Sequence, residues 1–203
     1  MKIDISKKLP RDFYLNNTLT VARKLLGKIF VRKTDKTILA AKIVETEAYI
    51  GAVDESAHSF NGETKRNSVM FREGGRLYVY FTYGMYYCAN VVTEKKGTGN
   101  AVLFRAMEPL EGADLFALNR FGKTELSEKE KINLLNGPAK ICMAFGIDKE
   151  KNGVDLLGDE IFILDAPPVK KNEIAVSERI GISKSKELPW RFYIADSKFI
   201  SRR

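Results

Sequence analysis

The chain has 203 residues, 44% hydrophobic and 30% charged, with 34 Lys and Arg against 26 Asp and Glu for a formal charge of +8. That is one domain's length, here residues 1–203, and such a chain buries roughly 70% of its unfolded surface, so a core needs neither metal nor disulfide. Two cysteines (Cys88, Cys142), one histidine (His58) and no Cys-x-x-Cys pair exclude a disulfide framework, a structural zinc, a zinc deaminase centre and any triad needing two histidines.

No apolar run reaches the ~18 residues of a membrane span, and Met1-Lys2-Ile3-Asp4 opens no signal peptide, so an intracellular protein with no membrane partner is expected. The charge is uneven: residues 1–36 carry +7, residues 168–203 carry +5 and the remainder −4. Basic ends around a slightly acidic middle suit either solubility or a polyanion partner whose counterions Lys and Arg displace.

In chain order, Asn17-Thr18 caps a first helix carrying Leu19, Ala22 and Leu26, and Gly27 closes it. A strand over Lys28 to Arg32, a turn at Thr34-Asp35-Lys36-Thr37 and a longer strand from Ile38 to Tyr49 follow. Leu77 to Val92 reads as a β-hairpin, two β-prone runs flanking a Tyr83-Gly84 turn. Further strands are predicted at Ala101–Ala106, Glu160–Leu164 and Arg191–Ile194. Ser127 and Glu130 form a capping box before Ile132, Leu134 and Leu135, and Asn136-Gly137-Pro138 ends that helix and begins another. Strands in the middle with helices at the margins predict an α+β fold with a mainly antiparallel sheet.

Strand alternation puts Ile43, Glu45, Glu47 and Tyr49 on one face. Taken alone, acidic residues on a strand most often mark a solvated face. Against an aromatic wall, however, a partly desolvated carboxylate can hold and deprotonate a water. Five of the eight tyrosines fall between Tyr78 and Tyr87, and strand tyrosines mostly pack into cores. Tyr83, beside a turn glycine, is expected to be exposed, as a contact surface or a wedge between stacked bases requires. Arg105, inside the apolar run Ala101 to Met107, must find a carboxylate or a phosphate. Gly122-Lys123-Thr124 lacks the first glycine of a phosphate loop, where Ala117 stands, and Gly97-Thr98-Gly99 lacks a third glycine, so no nucleotide cofactor is indicated.

The blocks Val44-Glu45-Thr46-Glu47-Ala48-Tyr49, His58, Arg66-Asn67 with Met70-Phe71, Leu77 to Asn90, and Leu103 to Gly112 closely resemble the alkyladenine (3-methyladenine) DNA glycosylase family. The likeness continues through Asn136 to Lys140, Arg179 to Ile182 and Trp190 to Tyr193, nearly the whole chain. The resemblance implies a mixed domain with a curved sheet, flanking helices and a protruding hairpin that enters the minor groove of damaged double-stranded DNA. It implies a monofunctional enzyme of base excision repair that flips out an altered purine (3-methyladenine, 7-methylguanine, hypoxanthine or ethenoadenine), cuts its N-glycosidic bond and leaves an abasic site. By similarity Glu47 activates the water and Arg105 helps to hold it. Tyr49, His58, Tyr80 and Asn90 form the base pocket, Tyr83 fills the vacated stack with Met85 in support, and Arg66 contacts phosphate. No metal or other cofactor is implied. A monomer of bacterial type, working in the cytoplasm on the nucleoid, is the expected form.

Two rivals remain at this stage. Glu45, Glu47, Asp54 and Glu55 could be magnesium ligands of a nuclease, or the tyrosine-rich sheet could stack single-stranded bases without catalysis.

Overall fold

The computed structural model describes residues 4–34 and 37–202; Asp35 and Lys36 of the predicted turn lie outside them. The short helix α1 (Arg11–Tyr14) leads into α2 (Thr18–Leu25), whose first turn is capped by Asn17 accepting from the Leu19 N–H at 3.1 Å. Gly27, at φ +84°, turns the chain out of the helix into β1 (Ile29–Lys33). Then come β2 (Ile38–Ile50), β3 (Leu77–Thr82), β4 (Tyr86–Thr93) and β5 (Asn100–Glu111). Helices α3 (Ala113–Phe121), α4 (Glu128–Asn133) and α5 (Pro138–Phe145) follow, then β6 (Ile161–Leu164), β7 (Ile174–Ser177) and β8 (Arg191–Ile194).

The strands form one sheet in the order β3-β4-β5-β2-β1-β6, every described pairing antiparallel, with β7 and β8 branching from β2. The branch exists because β2 is long. One edge pairs with β5 along nearly its whole length, while the other is given to β1 from Ile38 to Lys42 and to β8 from Glu45 to Glu47. The α+β class is the one the sequence predicts.

Helices cover one face. α2 presses Val21, Ala22 and Leu25 against β2, and α5 lies over β4 and β5 with α3 behind it. The core between them is knit by edge-to-face aromatic pairs, Phe30 with Phe104 and Phe145 at 5.1 Å and Phe116 with Phe145 at 4.7 Å.

Several boundaries differ from the sequence reading, for physical reasons. β5 continues five residues past Ala106, through Pro109. Because β4 pairs only with Asn100 to Leu103, the distal half of β5 has an edge without a strand, where a proline that donates no N–H is tolerated. The capping box at Ser127 and Glu130 forms, but α4 ends at Asn133; Leu134 and Leu135 are buried beyond it, and the Leu135 carbonyl accepts from Met107 N–H. α3 was not anticipated, although left-handed glycines, Gly112 and Gly122, bracket it.

The C-terminal tail is tied back to β2 through Glu45, which is fully buried. Its Oε1 accepts from Arg191 Nε at 2.7 Å and from Ser201 Oγ at 2.8 Å, and its Oε2 from the Ser201 N–H at 2.6 Å. Removing this carboxylate strands buried cations. Glu45→Ala is therefore expected to lower stability by about 3–5 kcal/mol, measured by urea unfolding.

Candidate active site

Two compensating bulges shape the site. In the β2–β5 ladder Ile43 faces Met107, Glu45 faces Ala106 and Thr46 faces Phe104, which leaves Val44 and Arg105 each as an extra, unmatched residue. The bulge at Val44 corrects the predicted alternation. Ile43 joins the main core with Ala48, whereas Glu45, Glu47 and Tyr49 share the opposite face. That face is not solvated: Glu45 and Glu47 are both 0% exposed.

The bulge on β5 aims Arg105 between the two carboxylates. Its Nε lies 3.2 Å from Glu45 Oε1 and 3.3 Å from Glu47 Oε1, aligned for a hydrogen bond with neither, so one positive charge is shared by two anions. Glu47 Oε1 also accepts from the Ile180 N–H at 2.8 Å, and its Oε2 from the Tyr49 hydroxyl at 2.9 Å. Burial lifts the proton affinity of Glu47 above the usual carboxylate value, against the opposing pull of Arg105, Ile180 and Tyr49. The result is a carboxylate more basic than one in water, yet kept ionisable by a cation.

A cavity of about 560 Å³ opens beside it, lined by Tyr49, His58, Tyr80, Asn90, Arg105 and Ile180 among others. Glu47 sits one layer behind this wall, joined to it through Tyr49, Arg105 and Ile180. The hairpin register, which periodicity left open, pairs Tyr78 with Asn90 and Tyr80 with Cys88, and all four side chains line the cavity. Tyr78 and Tyr80 stack at 5.7 Å, His58 meets the Tyr80 ring edge-on at 4.5 Å, and His58 Nδ1 lies 3.0 Å from the Tyr78 hydroxyl. Burial, helped by the charge of Arg66, holds the His58 pKa below the usual histidine value and so favours the uncharged ring. Burial pushes the Tyr78 hydroxyl up to about 12. Asn90 is buried, and its Nδ2 donates to the Tyr78 carbonyl at 3.2 Å.

The hairpin tip projects from the cavity mouth. Tyr83 and Gly84 both take positive φ, +52° and +69°, and Met85 N–H donates to the Thr82 carbonyl, as in a type I′ turn. Tyr83 is 82% exposed and Met85 65%, as a contact surface requires. Arg66 does not line the cavity; its guanidinium donates to the Phe81 carbonyl at 3.2 Å, bracing the hairpin. Among the described residues 4–34 none lines the cavity either, so that part of the basic amino-terminal segment stands apart from it.

Residues to which the glycosylase resemblance assigned no role complete the arrangement. Asp54 and Arg179 form a buried ion pair, and Ile180 supplies the N–H to Glu47. This weakens the nuclease alternative, because its proposed ligands are already matched to protein cations: Glu45 and Glu47 to Arg105, Asp54 to Arg179 and Glu55 to Lys184.

Known proteins resemble this sequence. The family model for methylpurine-DNA glycosylase (MPG) matches residues 12–198. The "Putative 3-methyladenine DNA glycosylase" of Clostridium perfringens strain SM101 is 45% identical over 204 residues, spanning 97% of this chain and 100% of that protein. Proteins of the same name from Clostridium novyi strain NT and Chlorobium luteolum strain DSM 273 are 48% and 47% identical, over 97% and 96% of this chain and 100% and 97% of their own lengths. With the family model covering nearly the whole chain and these relatives aligned from end to end, the chain belongs to the methylpurine-DNA glycosylase family, enzymes of DNA repair that hydrolyse N-glycosyl bonds.

Proposed function

We propose that the protein is a monofunctional glycosylase that flips alkylated or deaminated purines (3-methyladenine, 7-methylguanine, hypoxanthine, ethenoadenine) out of duplex DNA and releases them with a water activated by Glu47. The observation that carries this reading is the buried Glu47 carboxylate, held by Arg105, Tyr49 and Ile180 directly behind a tyrosine-lined cavity at the foot of an exposed hairpin.

In this mechanism Tyr83 enters the stack at the hairpin tip and occupies the space of the extruded base, replacing part of the lost stacking. The purine enters the cavity between Tyr49, His58 and Tyr80, where electron-rich rings attract an alkylated, cationic base. Asn90 screens groups on the purine edge, Met85 supports the wedge and Arg66 contacts backbone phosphate. A water admitted beside Arg105 meets Glu47. As the bond between the sugar C1′ and the base nitrogen breaks, its electron pair leaves with the base; a cationic base departs neutral, and a neutral purine departs as an anion that takes a proton from water. The water oxygen bonds to C1′, its proton passes to Glu47, and the carboxylate stabilises the oxocarbenium-like sugar before the proton arrives. The burial that disfavours protonation of His58 works against placing a second cation beside a cationic base.

Two experiments test this. Glu47→Gln is expected to reduce single-turnover abasic-site formation by about 10²–10⁴-fold, the scale of a general base, with thermal unfolding retained; unchanged turnover would remove Glu47 from the mechanism. The same carboxylate must be ionised to accept a proton, and burial raises its pKa above 4.5. In the wild type the rate is therefore expected to fall as pH drops through a titration above that value, and this limb should vanish in the variant. Separately, Tyr83→Ala is expected to weaken binding to damaged duplex by roughly 5–150-fold, the 1–3 kcal/mol of one base–aromatic stack, without shifting the melting temperature of the free protein. A collapse of that melting temperature would show Tyr83 to be structural.

A further inference from the structure

The Arg179–Asp54 pair has no part in the steps above, yet it packs against Tyr49 and leads directly into Ile180. Both side chains are 0% exposed. Arg179 Nη2 donates to Asp54 Oδ1 at 2.8 Å while Nη1 meets Oδ2, a bidentate pairing. The same guanidinium donates to the carbonyls of Ala48 at 3.0 Å and Ser185 at 3.2 Å. Its centre stands 4.6 Å from the centroid of the Tyr49 ring. Tyr49 lines the cavity and Arg179 does not, so the guanidinium meets the ring from outside the cavity lining. The next residue, Ile180, gives its N–H to Glu47.

Around this pair two wall segments are clasped. Ser56 Oγ donates to the Lys184 carbonyl at 2.6 Å, the Glu55 N–H donates to Ser185 Oγ at 3.2 Å, and Lys184 pairs with Glu55 at 2.8 Å. A buried ion pair is a poor device for stability alone, because apolar side chains of similar volume usually serve as well or better. Its placement behind an aromatic wall gives it another use.

We propose that Arg179 and Asp54 are positioning residues that also set selectivity, placing a cation on the rear face of Tyr49 and thereby tuning the pocket between cationic and neutral purines. A charge behind the ring draws down the negative potential of its front face. A cationic purine is then held less tightly than over a bare tyrosine, whereas a neutral purine is little affected. Asp54 offsets part of that charge, so the two residues act in opposite directions. The inference rests on reading the cavity as the base pocket.

Single-turnover base release from duplexes carrying 7-methylguanine (cationic) or hypoxanthine (neutral) tests it, with the half-saturating protein concentration and the maximal rate measured for each. The Asp54→Leu, Arg179→Met double variant removes both charges. It is expected to raise the ratio of half-saturating concentrations, hypoxanthine over 7-methylguanine, by about three- to tenfold, the scale of one cation–π contact. Asp54→Asn keeps the cation and removes its counter-charge, and is expected to lower the same ratio by about twofold or more. If the double variant does not fold, the direction of the Asp54→Asn shift decides. A ratio unmoved, or both substrates affected alike, reduces the pair to scaffold and overturns the proposal. Wild-type protein that releases neither base overturns the base-pocket reading itself, a different failure.

Discussion

Two carboxylates on one strand, both wholly out of water, are the constraint around which this molecule is arranged. An unpaired ion in such surroundings costs several kcal/mol, so cations must come from elsewhere in the fold. Arg105 arrives from a bulge in β5, Arg191 from β8, and Ser201 adds two donors from the tail. The branching of the sheet follows. β2, long enough to share its second edge, gives Glu45–Glu47 to β8, the strand that carries the arginine neutralising Glu45.

The two carboxylates are thereby separated in role. Glu45 is saturated by an arginine, a hydroxyl and a backbone N–H, all structural contacts. Glu47 is held by groups that face the cavity, so whatever enters the cavity meets its environment first. The same alternation that buries both residues anchors one to the tail and leaves the other beside the cavity. Elsewhere in the cavity lining, Tyr78 and Tyr80 stack with His58 edge-on, and burial disfavours protonation of that histidine.

Much of this could be read from the chain. The run from Glu45 to Tyr49, the need of Arg105 for a carboxylate, the exposure of Tyr83 beside Gly84 and the hairpin itself rest on local patterning, and local patterning reports them. What failed was non-local. Ile43 left its expected face because a bulge shifted the register, and a bulge depends on the partner strand. The length of β5 depended on which neighbours it found, and α4 stopped short because Leu134 and Leu135 were drawn into the core. Asp54 and Arg179 are 125 residues apart, so no spacing rule could join them. The family likeness reached the segment Arg179 to Ile182 without giving its members a task.

The tether between Glu45 and the tail also bears on how the protein is made. A chain still leaving the ribosome has synthesised β2, β5 and the hairpin long before Arg191 and Ser201 emerge, and domains fold as units once their chain is available. Until then Glu45 lacks two of its three partners, and the strand that carries Glu47 has an open edge where β8 belongs. The groups that close this edge and neutralise Glu45 are therefore the last to be synthesised, and a chain ending before Arg191 lacks both.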